Sequence, residues 1–350
     1  MITAELSVHL CQNTHFIVNT DHRSGQISEI FMKGTVLEYV HVKRLTPENY
    51  VQPGAAVVFA EHGNGGACRG VALSAASWEE PESTVVNTGP LFFSVVRKGR
   101  LRFPQKAEEK CPILEVAYKF FADKPYFLLS SRLAFADDTD VFGVRNEIAT
   151  VANSCFSHYC FRPVTPTLAD TDVEEVGHLL VDEEDTRTLP QGIMFSNFLP
   201  YDLAWHAFIN TVMRKEFRFR YAMAGLRLAE SSRSPGGDAP RYRHATYLSK
   251  DNGALSWHRA AVYVKTQDCG ENVVRIPAGT VYEETNALYF AEWDERKRWL
   301  AATDELGKRL NNRLQISIHP RFLGGVVPPE EFELLPVGDL SLNYSKAGVR

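Results

Sequence analysis

The chain is expected to be all-β: a large two-sheet antiparallel sandwich with one helix near its C-terminal end. Three observations predict it. Period-two runs rich in β-branched and aromatic residues recur along most of the 350 residues, and about twenty can be counted. No βαβ rhythm separates them, which argues against a parallel sheet wrapped by helices. Only one stretch carries a helical pattern. Twenty strands exceed an immunoglobulin-sized sandwich, so a broad, curved double layer with a groove on its concave sheet is the better fit. We read residues 1–350 as one domain of this kind.

The elements follow in order. "THFIVNT" (14–20) and "GQISEIFMKG" (25–34) flank the turn "DHRSG". "GPLFFSVVRKGRLRF" (89–103) reads as a strand and its continuation. "PILEVAYKFFAD" (112–123) and "PYFLLSSRLAFAD" (125–137) form a hairpin around Asp123 and Lys124. "EFRFRYAMAGLRLA" (216–229) puts Phe217, Phe219 and Tyr221 on one face and Arg218 and Arg220 on the other. Two strands in 241–264 join through "KDNG", and "GTVYEETNALYFAEW" (279–293) closes the strand series. Segments 46–56 and 230–241 read as loops. The helix is 294–312, with Asp294 as N-cap and Trp299, Leu300, Leu306 and Leu310 as a rough apolar stripe.

Composition sets limits. The formal charge is -5, without the basic excess that nucleic-acid binding needs. No run approaches the roughly 20 apolar residues that span a bilayer. The N-terminus has no basic segment followed by an apolar core, so a cytoplasmic location is expected, with a secreted mature form as the alternative. The six cysteines are scattered and contain no C-x-x-C, which reads as free, mostly buried thiols. Neither metal nor cofactor is implied: nucleotide-loop, zinc-metalloprotease and EF-hand patterns are all missing. A homo-oligomer is left open.

The densest chemistry lies in "CFSHYCFRP" (155–163). As zinc ligands, Cys155, His158 and Cys160 straddle both faces of a strand and lack a second ligand pair. A polar stripe is the simpler reading. His158 and Arg162 share a face, about 13 Å apart along the backbone. A guanidinium there can hold a carboxylate, and an imidazole can move a proton near neutral pH. Further candidates are Tyr201, Trp205 and His206 in "PYDLAWHAF", where an aromatic face could stack on a sugar. His62 and Asn64 sit in the glycine-rich "FAEHGNGGACRG" (59–70), a loop that could edge a groove. His244, Trp257 and Arg145 add aromatic and cationic groups. Each has a plain structural reading beside it: core aromatics, satisfied histidines, solvated arginines.

The phrases "NTHFIVNTDHRSGQISEIFMKG" (13–34) and "GTVYEETNALYFAEW" resemble the galactose-mutarotase-like β-supersandwich of sugar mutarotases, several polysaccharide lyases and α-mannosidase accessory domains. The resemblance implies a concave sheet that receives a saccharide. No catalytic motif matches residue by residue, and fold alone does not fix the reaction.

The function expected first is therefore β-elimination on a uronate-containing saccharide. Arg162 or Arg145 would neutralise the carboxylate. His158 or His206 would act as base, and Tyr201 as acid, since Tyr159 alternates with His158. Around them His62, Asn64, Arg145, Tyr159, Trp205, His244 and Trp257 would bind substrate. The alternatives are a sugar epimerase or mutarotase, and a non-catalytic carbohydrate-binding or assembly subunit.

Overall fold

The computed structural model describes residues 3–4, 10–20, 27–33, 39–41, 55–63, 68–78, 82–87, 91–152, 158–163, 203–210, 221–240, 245–251, 254–263, 273–292 and 296–311. Two compact units are distinguished, 1–294 and 295–350. The first holds all nineteen described strands, and every pairing among them is antiparallel. The all-β class expected from alternation is what is observed.

Strands β1 (Thr3–Ala4), β2 (Leu10–Gln12), β3 (Phe16–Thr20), β4 (Ile27–Lys33) and β5 (Tyr39–His41) form an N-terminal meander. An eight-stranded sheet has the order β13-β14-β15-β19-β11-β10-β9-β8. Its strands are β8 (Glu82–Asn87), β9 (Phe92–Arg100), β10 (Ile113–Phe121), β11 (Tyr126–Ala134), β13 (His158–Pro163), β14 (Leu203–Asn210), β15 (Tyr221–Arg233) and β19 (Val281–Glu292). The third sheet is β16 (Ala245–Asp251), β17 (Ala254–Tyr263), β12 (Thr139–Ala152), β6 (Ala56–His62) and β7 (Cys68–Ser74), with β18 (Val274–Ile276) paired to the start of β12.

One apolar core joins all three sheets. Phe16 of the meander packs edge-on against Phe127 (centroids 5.8 Å apart) and tilted against Phe290 (5.3 Å). Val57, Phe59, Val141, Val144 and Val262 enter the same cluster from the third sheet. The eight-stranded sheet supplies alternate residues: Phe93, Val95; Leu114, Val116, Tyr118, Phe120; Phe127, Leu129, Leu133; Tyr282, Leu288, Phe290. These positions define its inner face. Asn13 pins the meander: its amide donates to the carbonyls of Phe121 and Lys124, both at 2.9 Å, while its Oδ1 accepts from the His15 and Phe16 amides.

Differences from the expectation have physical causes. Segment 230–241 is a loop only in its second half. Ser231, Ser232 and Arg233 continue β15 because they pair with Glu283, Tyr282 and Val281 of β19. The thiol reading holds at Cys111, which is free and buried, and fails at Cys68, which is disulfide-bonded. Segment 46–56 lies outside the described residues except for its last two. In the second unit, helix α1 spans Arg296–Asn311 and buries Thr303, Leu306 and Leu310, so the expected stripe is present in its C-terminal half. No helix among the described residues is long and apolar enough to cross a membrane.

Candidate functional site

The inner face of the eight-stranded sheet is mostly apolar, but one row crossing it carries Arg97, Ser131, Glu284 and Glu230. On β19 the sequence Tyr282-Glu283-Glu284-Thr285-Asn286-Ala287-Leu288 sends every second residue inward. That buries Glu284 (3% exposed) and Asn286 (2%) between Tyr282 and Leu288. Register places Ser131 of β11 and Glu230 of β15 on either side of Glu284, and Arg227 of β15 beside Asn286. Ser131 is buried, and the Glu230 side chain is 5% exposed.

A β-bulge makes this cluster possible. In an uninterrupted strand residues i and i+3 face opposite ways. The β15–β19 register shifts between Arg227 and Ala229. The extra residue returns Arg227 and Glu230 to one face, where the guanidinium NH2 forms an ion pair with Glu230 Oε2. Bulges that re-aim a side chain are common beside active sites. Glu230 and Glu284 are directly opposed, which puts their Cβ atoms roughly 4.5–5.5 Å apart. Burying two carboxylates side by side costs free energy that an apolar pair would not. His206 lies on the same face, opposite Gly225 and through it in line with Leu288, four residues along β19 from Glu284. It is 1% exposed. One face thus presents two carboxylates, two guanidiniums, an amide, a hydroxyl and an imidazole.

The opposite face of the same strands is also polar, but half-exposed. Arg132 Nε and the Ser231 hydroxyl each donate to Glu283 at 3.0 Å, and Ser130 and Thr285 share a 2.9 Å hydroxyl contact. Register extends this into a ladder, Glu82–Lys98–Glu115–Arg132–Glu283, of alternating sign across five strands. Cross-strand pairs of this kind on wet surface contribute little each.

A second feature is a cleft of about 390 Å³ at the end of the third sheet, lined by His62, Phe103, Lys106, Asp137, Asp138 and Asp140. His62 Nε2 is 3.8 Å from Asp140 Oδ2. Lys106 Nζ reaches Asp137 Oδ2 at 3.2 Å and the Asp138 carbonyl at 2.6 Å. Arg275 contacts both Asp138 (3.2 Å) and Asp140 (3.5 Å). The Lys106 hydrogen bond holds the Asp137 carboxyl below its ordinary value; the Ala278 amide and then Arg275 do the same for Asp138. Every carboxylate here faces a cation or imidazole, and no group of metal ligands forms among the described residues.

The residues expected from sequence are distributed as follows. His158, Tyr159 and Arg162 lie on β13, the edge strand beside β14. Position 162 pairs with Trp205, and position 161 with His206. His206 therefore alternates with positions 158 and 162 along the ladder, so of the two expected bases only position 158 shares a ladder face with position 162. Trp205 is buried (2%) and offers no open stacking surface. His62 is exposed at the end of β6, in the cleft. Arg145 is half-buried on β12, opposite Ala56 and Ala260 and next to two register shifts. Trp257 is on β17, opposite Ala149 and Leu248. Tyr201, Asn64 and His244 lie outside the described residues. The sequence reading missed Glu230, Glu284, Asn286 and Arg227. Their signal was polar residues at inward positions of "VYEETNALYF", where alternation demands apolar ones.

No protein-family profile matches the chain, and no curated protein matches it. Solved structures do. One is a galactose 1-epimerase from Lactobacillus acidophilus NCFM, with 10% identity over 81% of this chain and 93% of that one, TM-score 0.40. Another is a galactose mutarotase-like protein from Lactobacillus casei ATCC 334, with 8% identity over 81% and 99%, TM-score 0.46. A third is a GH36 α-galactosidase from Geobacillus stearothermophilus, with 7% identity over 83% of this chain and 41% of that one, TM-score 0.48.

Proposed function

We propose that the protein carries out acid–base chemistry on a saccharide at the inner-face cluster, of the epimerase or mutarotase type. The observation that carries this reading is the direct opposition of Glu230 and Glu284 across β15 and β19. Arg227 compensates the charge of Glu230. Glu284 stands directly opposite Glu230 without that guanidinium at its own ladder position, so a substrate between them would meet two carboxyl groups in unequal surroundings, one to accept a proton and one to donate it. Mutarotation needs that division. One group takes the proton from the anomeric hydroxyl while another protonates the ring oxygen, the ring opens to the aldehyde, and closure on the other face inverts the centre. Asn286 and Ser131 supply neutral hydrogen bonds that orient hydroxyls. Support for a saccharide comes from the resemblance of 13–34 and 279–293 together to the mutarotase-like sandwiches.

The second reading is β-elimination on a uronate, which Arg227 favours as a guanidinium inside the cluster. It is the weaker reading because elimination needs a cation for the substrate carboxylate, and Arg227 already serves Glu230. The wild-type protein decides between them. Two-dimensional exchange NMR on equilibrated galactose or glucose should show anomer interconversion above the buffer rate. Ultraviolet absorbance of an unsaturated product from uronate oligosaccharides, without anomer exchange, would favour the lyase. Inactivity in both assays across a broad panel would leave a binding subunit and overturn the enzymatic reading.

A further inference from the structure

At the other end of the eight-stranded sheet, β8 begins at Glu82, opposite Lys98, so the last two residues of β9 have no β8 partner. Trp78 packs against this part of β9 at Gly99. It is 5% exposed, and a Cβ on Gly99 would stand only 2.5 Å from its Cδ1 and 2.6 Å from its Nε1, so the indole rests directly on the glycine backbone. The indole Nε1–H is buried and has no hydrogen-bond partner among the described residues. Leaving such a donor unsatisfied costs free energy. Trp78 and Gly99 together form part of the wall of a groove of about 260 Å³, whose other lining includes Glu82, Lys98, Arg100, Arg102 and Glu108.

We infer that this groove is a second saccharide site, separate from the Glu230–Glu284 centre, that takes one neutral, hydroxyl-rich ring. Three facts select that class. The volume lies below the roughly 300–1,000 Å³ of sites that enclose drug-sized ligands, so it suits a single ring. The charges are interspersed: a simple anion would meet Glu82 and Glu108, and a simple cation would meet Lys98, Arg100 and Arg102. Each hydroxyl of a sugar can donate to a carboxylate and accept from a guanidinium at once, so it fits both signs. The Trp78 indole in the groove wall offers an apolar surface on which a sugar ring could rest. Arg102 is braced by Glu108 at 3.0 Å, and Arg100 donates to the Glu109 and Cys111 carbonyls at 3.2 and 3.3 Å, so both guanidiniums are held in place.

The test is site-specific and uses the full chain. Protein labelled with 15N at its five indoles is titrated with glucose, galactose and rhamnose, with glucuronate and glucosamine as charged arms; the Trp78 resonance is the one lost in Trp78→Phe. The neutral sugars should shift that resonance saturably and slow its solvent exchange. Glu82→Gln should raise the apparent Kd at least tenfold, and Gly99→Ala, which displaces the indole, should abolish the shift. Glu284→Gln should leave the titration unchanged, and Trp78→Phe should leave anomer exchange within twofold of wild type. A Trp78 resonance unmoved by neutral sugars, or moved only by a charged one, overturns the inference. Loss of turnover in Trp78→Phe also overturns it, because the groove would then belong to the catalytic centre. An inactive protein whose Trp78 resonance still responds would sink the proposed function and leave the groove standing.

Discussion

At the scale of single residues, the case rests on polar side chains where the fold would accept apolar ones. Leu288 and Phe290 show what β19 does inward by default, and Glu284 and Asn286 depart from it. Arg227 and Glu230 are the clearest mutual dependence. Removing one partner of a buried ion pair strands the other, typically at about 3–5 kcal/mol. With the Arg227 side chain 24% exposed and that of Glu230 5%, Arg227→Ala should cost near the low end, about 3 kcal/mol. Urea denaturation measures it, and Arg227→Ala/Glu230→Gln should recover most of the loss. If the single variant is as stable as wild type, the pair does not hold the site together. These residues were hard to pick out in the sequence, because histidines, tryptophans and arginines draw attention as chemistry. A glutamate on a strand reads as a solvated face until the partner strands show which way it points. Trp205 and His206 stand out in the sequence for the converse reason. Both looked like ligand contacts, and both occupy central ladder positions that the sandwich buries.

At the scale of elements, alternation was legible and register was not. The hairpin around Asp123 and Lys124 is observed as β10 and β11, with eight paired positions. Its strand limits follow from the long apolar runs and Pro125. The β15 bulge could not be read, because an extra residue leaves no mark in composition and yet reverses the face of everything beyond it. Deleting Leu228 should regularise the strand and leave Arg227 and Glu230 two positions apart on one face, still opposite Asn286 and Glu284, so turnover should persist; lost turnover with the β signature of circular dichroism intact would show that the bulge itself has a role. The segment 103–111 is a second element held by polar contacts, through Lys106 to Asp137 and the Asp138 carbonyl and through Gln105 to the His62 carbonyl. Because the Asp137 carboxyl is lowered in the folded chain, its stabilisation is fully present above the unfolded carboxylate value, about pH 4. It is lost as the pH falls through the lower folded value. Limited proteolysis within 103–111 should therefore be constant from pH 7 to 5 and accelerate only below about 4. Acceleration already near pH 6 would mean that a different group controls the segment.

At the scale of the whole molecule, three sheets share one apolar core, and Phe127 stands where the meander and the eight-stranded sheet meet. It is fully buried, packed edge-on to Phe16 and against Phe120 and Phe290. Phe127→Ala should destabilise the 1–294 unit by about 3–5 kcal/mol, in one cooperative transition that also releases the meander. Two separate transitions would indicate that the meander folds independently. The broad class was readable because twenty alternating runs without intervening helices leave few alternatives. The assignment of runs to three sheets was not, since it depends on pairings over more than a hundred residues, such as β11 with β19. That long-range pairing is also what brings Ser131, Glu230 and Glu284 into one row. The account therefore turns on what Glu284 does. The most direct measurement is the anomer-exchange rate of Glu284→Gln against wild type at matched folded concentration. A fall of about 10²-fold or more, as expected for loss of a positioned acid–base group, with unchanged thermal unfolding, is the predicted result. A Glu284→Gln rate within twofold of an active wild type would contradict it.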